Sequence, residues 1–193
     1  VNLNLAPKGV NDYYEPREDG RYFRSAQWYY VWGGFSTNYA KTFALDVNLN
    51  AGNFMKNNIQ GFPEEQGFGF ELKPRFRASD KLSFIGTFNY NYDPLNPGFA
   101  DTANGEIIFA GRELNTYIST LTAKYIFKND LSLSLNARHY WNTGHFRFYY
   151  TLLDNGLLEE NTTYTSNNDF SYNAFYIDAA FSWQFAPGSL LSI

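Results

Sequence analysis

The sequence contains no cysteine, one methionine and only two histidines in 193 residues. Without thiolates there is no disulfide framework and no cysteine-ligated zinc or iron–sulfur site. Charge is sparse too: Asp, Glu, Lys and Arg make up 18% of the chain, and the net charge is −4. That balance argues against a general nucleic-acid binder. No run of about 18 or more apolar residues occurs, so no helical membrane span is expected. Helical periodicity is nearly absent as well. No basic segment followed by an apolar one opens the sequence, so a secretory signal peptide is not expected within it. The alternating Val1–Leu5 start and the apolar Leu190–Ile193 end read as parts of a longer polypeptide.

What is abundant is aromatic. Sixteen Tyr, 19 Phe and four Trp make 20% of the residues, yet the mean hydropathy is −0.43. A disordered chain would lack those rings. The rings fall into a period of two, the signature of strands. Phe43, Leu45, Val47, Leu49 and Ala51 alternate with Thr42, Ala44, Asp46, Asn48 and Asn50. The same pattern recurs over 68–77, 82–92, 113–127, 131–138 and 175–185. It predicts roughly nine strands or strand pieces, longer than the five or six residues usual in soluble sheets.

The connections come in two sizes. Short ones at 38–41, 78–81, 128–130 and 186–189 carry the Asn, Asp, Gly and Pro of tight turns. Long ones are expected at 6–26, 55–66, 93–112 and 143–168. Short and long alternate, so an up-and-down meander puts all short turns at one end and all long loops at the other. Outer-membrane β-barrels have that asymmetry, and in lipid such a sheet must close on itself. The expected fold is therefore all-β: an antiparallel up-and-down transmembrane β-barrel, with residues 1–193 forming part of one larger barrel domain. Tyr39, Tyr125, Phe127 and Phe185 near the turns, and Tyr90, Tyr92, Tyr140 and Trp141 near the loops, are candidates for interfacial girdles. A soluble sandwich would alternate as well, but gains nothing from collecting its long loops at one end.

Several segments carry a resemblance. They are Tyr14-Glu-Pro-Arg17 with Gly20-Arg-Tyr-Phe23, the stretch Lys73–Phe84, Leu121–Phe127, Leu133–Trp141 and, most specifically, Trp183-Gln-Phe-Ala-Pro-Gly-Ser189. Together they resemble a Bacteroidota family of outer-membrane proteins of unknown function. The resemblance implies the C-terminal part of a large barrel that follows an N-terminal carbohydrate-binding, family-9-like domain. It implies a place in the bacterial outer membrane and a structural, transport or complex-forming role. A glycan-handling surface protein and the barrel end of a TonB-dependent transporter are the alternatives.

Catalytic chemistry is not expected. His139 and His145 are too few for a zinc site, and no nucleophile-elbow, His-Glu-x-x-His or phosphate-loop pattern occurs. No cofactor is expected. The carboxylates of the loops, among them Glu15, Glu65, Asp93 and Asp101, read as solvated charges. On the polar strand faces, Asp46, Glu71, Lys73, Arg75, Arg77, Lys124, Arg138 and Asp178 are the lumen-facing candidates. In the first loop, Arg17, Arg21 and Arg24 interleave with Tyr13, Tyr14, Tyr22 and Phe23. This cluster could stack on a sugar, but loop packing through cation–π contact is the favoured reading. Expected partners are outer-membrane lipid, other outer-membrane or periplasmic proteins, and possible glycans; nucleic acid is not among them.

Overall fold

A computed structural model describes residues 1–54 and 63–192. Among the described residues it contains twelve strands and no helix. In chain order they are β1 (Asn2–Ala6), β2 (Asn11–Asp12), β3 (Phe23–Arg24), β4 (Trp28–Ser36), β5 (Phe43–Phe54), β6 (Gln66–Arg77), β7 (Leu82–Ala103), β8 (Glu106–Lys128), β9 (Leu131–Leu152), β10 (Leu158–Glu160), β11 (Phe170–Ala186) and β12 (Ser189–Ser192). Ten form one antiparallel sheet in the order β1-β4-β5-β6-β7-β8-β9-β11-β12, with β10 added beside β9. The pair β2–β3 is a separate small sheet. Strands β1 and β12 end the path without pairing each other. The expected all-β, antiparallel up-and-down sheet is thus present, with ten strands where roughly nine were expected, and among the described residues it is open. Most of the expected long loop 55–66 lies outside the described residues.

The alternation read from the sequence sorts side chains onto two faces, and the register holds across the sheet. On one face Leu49 opposes Phe70, Phe70 opposes Tyr90, Tyr90 opposes Tyr117, and Tyr117 opposes Trp141. A parallel row runs through Leu45, Pro74, Gly86, Leu121, Ala137 and Ile177. On the other face Asn48 opposes Glu71, and Glu71 opposes Asn89. Burial runs opposite to a soluble fold. Phe43 and Leu49 on the apolar face are 55% and 59% exposed, while Asp46 and Ala44 on the polar face are 8% and 2% exposed. Around β5 the sheet shields its polar side and presents its apolar side. Two expected girdle residues are exceptions. Tyr140 opposes Ile118 and Ala174 on the polar face, and Tyr39 hydrogen-bonds the polar-face Asp46.

The largest departure from the sequence reading is at 93–112. No long loop exists there. Strands β7 and β8 continue as a hairpin closed by Asn104 and Gly105, both at positive φ (54° and 81°). That is the primed two-residue turn that Asn-Gly favours because it matches strand twist. Likewise β9 runs on to Leu152, so only 153–169 is connection, and that stretch includes β10. His145, expected in or near the loop, lies inside β9. The strands of 22 and 23 residues thus rise well past the rest of the sheet. Bulges at Asp93/Asn96 and Phe99/Asp101 bend the rising hairpin.

The hydrophobic core sits in this raised part, here termed the cap. Phe23, Leu95, Ile107, Phe109, Tyr150, Leu152 and Leu158 form one buried cluster, with Phe99 packed against it. The Phe23 and Phe109 rings are 5.1 Å apart, so the first loop reaches from the β1 end of the sheet to β8. Phe109 is fully buried; Phe109→Ala is expected to cost about 3–5 kcal/mol. Limited proteolysis with mass mapping should then show new cleavage within 93–112 while β5 and β6 stay protected.

Candidate functional site

Glycines shape the polar face because the neighbouring amides lie flat across them. Gly69 on β6 separates Asn50 on β5 from Asn91 on β7, and a methyl at Gly69 would overlap the Asn91 amide. The missing side chain lets Asn50 Nδ2 donate to Asn91 Oδ1 over the intervening strand, at 3.4 Å. Asn91 in turn donates to Asn89 Oδ1 at 2.6 Å. Gly34 does the same for Asn48, which donates to Glu71 Oε1 at 3.0 Å. Toward the next strands Thr116 bonds Asn142 (3.2 Å) and Thr122 bonds Asn136 (2.7 Å). The result is an amide and hydroxyl floor running across five strands.

The expected lumen-facing charges all share this polar face, but they do not form one site. Arg75 pairs with Asp46 at 3.2 Å and lies over the Tyr39 ring at 4.8 Å. Tyr39 also donates to Asp46. Glu71 is held by Asn48, and Lys73 stands opposite Asp46 in the register. Arg77 opposes Ser83. Lys124, Arg138 and Asp178 are exposed. Among the described residues Lys73, Lys124, Arg138 and Asp178 make no ion pair. The Asp46–Arg75 pair runs along the sheet between adjacent strands.

The first-loop residues are packing elements, as the favoured reading has it. Arg17 lies over the Phe99 ring at 4.6 Å. Arg21 donates to the Leu152 carbonyl at 2.8 Å and pairs with Asp154 at 3.0 Å. Tyr22 packs against Gly156 and lies 5.6 Å from the Tyr13 ring. The backbone N–H of Arg24 donates to the Gly156 carbonyl at 2.8 Å. Arg21, Tyr22 and Arg24 thus hold the first loop to the segment 152–156, while Arg17 holds it to Phe99.

The reading of the loop carboxylates as solvated charges is corrected at four positions. Glu15 accepts the Phe99 N–H at 3.0 Å and pairs with Arg112 at 3.3 Å. Arg112 also donates to the side chain of Asn96. Glu65 pairs with Arg147 at 2.5 Å. Asp101 accepts from Tyr164 at 2.8 Å. Asp93 is hydrogen-bonded by the Leu95 N–H and by Asn96; burial outweighs these bonds and raises its pKa. Burial likewise lowers that of Arg112, against the opposing pull of Glu15. Asp169 is the reverse case: the Phe146 N–H first, and His145 next, hold its carboxyl below the ordinary value. Among the described residues no group of His, Asp and Glu could hold a metal ion.

The sequence reading passed over an aromatic row on the polar face. Trp28, Tyr30 and Trp32 alternate along β4, and Tyr30 stands opposite Asn4 on β1 and Gly52 on β5. A pocket of about 360 Å³ opens beside them, lined by Trp28, Tyr30, Asn50, Asn91 and Asn53 among others. A second, of about 260 Å³, continues past Trp32, Asn48 and Glu71. The signal was masked because β4 is apolar on both faces, so period two alone does not sort it.

Compared with known families, residues 1–193 match the family described as Domain of unknown function (DUF5916). No curated protein and no solved structure matches.

Glu15→Ala is expected to free the first loop from the hairpin, at a cost of about 1–3 kcal/mol; hydrogen exchange at the Phe99 amide should speed up accordingly. The two shifted aspartates predict opposite pH responses. Asp169, with its lowered pKa, stabilises its contact above the ordinary value of 3.8, and that contribution is lost as pH falls through the lowered one. Asp93, with its raised pKa, favours the cap as pH falls, and that gain is lost as pH rises through the raised value. Amide exchange at Phe146 and at Leu95, followed against pH, should therefore diverge in acid.

Proposed function

The chain belongs to the DUF5916 family, whose description names no activity, and we propose from its geometry that it is wall and cap of an outer-membrane β-barrel. The observation that carries this reading is the face pattern: long antiparallel strands that present their apolar side chains and, around β5, shield their polar side. Among the described residues no second sheet covers the apolar face, as a soluble sandwich would require.

The apolar face is layered. Tyr90, Tyr117 and Trp141 form a line of rings 4.8 and 5.1 Å apart. Tyr125 with Phe127, and Trp183 with Phe185, pair at 4.7 and 5.7 Å toward the short-turn end. Between them lie Leu45, Pro74, Leu121, Ala137 and Ile177. Aromatic lines bounding an aliphatic middle are the arrangement of a barrel wall at the two lipid interfaces. Tyr117 and Phe127 are ten residues apart on β8, ~34 Å along the strand at ~3.4 Å per residue. A tilt of about 40–45° reduces that to ~25 Å, the height of a barrel's apolar band. The membrane-spanning segments in this reading are the strand portions below Asp93, Leu114 and Gly144, with the cap outside the cell.

A sheet edge in lipid leaves backbone groups unpaired, so β1 and β12 would be joined by further strands of a larger barrel. The finer reading, a Bacteroidota barrel that follows a carbohydrate-binding family-9-like domain, belongs to the same proposal and rests on segments such as Trp183–Ser189. The role is non-enzymatic: a structural, transport or complex-forming element of the cell envelope, with lipid and neighbouring envelope proteins as partners.

Tryptophan reports on this directly. Trp141 and Trp183 lie on the apolar face, Trp28 and Trp32 on the polar one. In vesicles with brominated acyl chains, variants retaining only Trp141 or Trp183 should be strongly quenched, and those retaining only Trp28 or Trp32 weakly. Equal quenching of all four would overturn the proposal. Leu121→Arg is also expected to destabilise the inserted protein by about 2–4 kcal/mol, while Thr122→Arg, one residue away on the polar face, costs little. Denaturant titration in vesicles measures both.

A further inference from the structure

The aromatic row on β4 is the feature that the wall-and-cap reading leaves unused. Trp28, Tyr30 and Trp32 present three side chains at every second position, ~6.8 Å apart along the strand. Rings elsewhere on the sheet pack against one another, as Tyr90, Tyr117 and Trp141 do. Among the described residues none of these three contacts another ring. On the side lined by the amide floor Trp32 is exposed and Trp28 and Tyr30 are half-buried.

The pocket is rich in hydrogen-bonding groups and, among the described residues, has no cation in its lining. Its carboxylates are engaged: Glu65 by Arg147, and Asp93 by Asn96 and the Leu95 N–H. Glu71, in the adjoining pocket, is held by Asn48. What remains are side-chain amides, each both donor and acceptor. Gly52 is small enough for the Tyr30 ring to lie close to it; a Cβ there would stand 3.1 Å from Tyr30 Cδ2.

We propose that this track binds an uncharged oligosaccharide, its sugar rings stacked on Trp28, Tyr30 and Trp32 and its hydroxyls bonded to Asn50 and Asn91. Sugars fit because each ring offers an apolar C–H face to an aromatic side chain and hydroxyls that both donate and accept. Among the described residues the pocket lining has no Lys or Arg to receive an anionic glycan, and Arg147 is bound to the lining Glu65. The three-ring length favours a chain of several sugars over a monosaccharide. The proposal rests on the barrel reading, which puts this face in water.

The test uses the full-length protein in detergent micelles, with tryptophan emission titrated against uncharged gluco-, xylo- and mannohexaoses, hexagalacturonate and an unstructured polar peptide. At least one uncharged hexasaccharide should bind, and hexagalacturonate should not. Trp32→Ala and Tyr30→Ala should each weaken binding about tenfold, Tyr30→Phe should restore it, and Trp141→Ala on the opposite face should leave it unchanged. Heat-modifiable gel migration of each variant reports folding independently. If no uncharged hexasaccharide binds to protein that migrates as a folded barrel, the inference fails and the barrel reading stands. Binding of the peptide alone, or unchanged affinity in Trp32→Ala, also overturns it. Sugar binding by protein without heat-modifiable migration would instead sink the barrel reading.

Discussion

The structure depends on one constraint: every backbone N–H and C=O needs a partner, and here an antiparallel ladder supplies nearly all of them. Because side chains on a strand alternate with a period of two, that ladder also decides which groups meet. From β5 to β11 the register keeps Leu49, Phe70, Tyr90, Tyr117 and Trp141 on one side, with Asn48, Glu71 and Asn89 on the other. A slip of one residue at any pair would exchange the two faces. The register shifts are confined to the strand ends, at 93–101 and 111–112 toward the cap and at 126–128 and 184–186 toward the short turns. The wall between them is unbroken, and the ends are where strands are re-aimed.

The two faces solve different packing problems. The apolar face needs no partner element of its own if lipid covers it, so it carries large side chains in register. The polar face must bring many amides close without leaving them unsatisfied. It does so by setting glycines at Gly34 and Gly69, where a side chain would push the bridging Asn residues away. Charge is neutralised locally, by Asp46 with Arg75 below and Glu15 with Arg112 in the cap. Among the described residues the cap is the one place with a conventional buried core. Its ties run over long sequence separations, from Glu15 to Phe99 and from Arg21 to Leu152.

Much of this was legible in the sequence because period-two alternation survives wherever one face differs from the other. Phe43–Asn50 and Leu121–Lys124 were sorted correctly for that reason. The hairpin at 93–112 was not, because its bulges interrupt the alternation and Pro94, Pro97 and Gly98 imitate a loop. Asn104-Gly105 was the available signal for it. Trp28, Tyr30 and Trp32 were missed because both faces of β4 are apolar. The roles of Glu15, Glu65 and Asp93 were illegible for a different reason. Their partners lie 97, 82 and 3 residues away, and even the nearest is positioned by a bulge that local pattern does not announce.

The central claim is that the odd-numbered positions of β8 face lipid and the even-numbered ones water. These 193 residues contain no cysteine, so each introduced thiol is unique among them. Spin labels placed singly from 115 to 126, in protein reconstituted into vesicles, can be read for collision with oxygen and with a water-soluble nickel chelate. The account predicts a strict alternation, with oxygen favoured at 117, 119, 121, 123 and 125 and the chelate favoured at 116, 118, 120, 122 and 124. Chelate access at both sets of positions would contradict it.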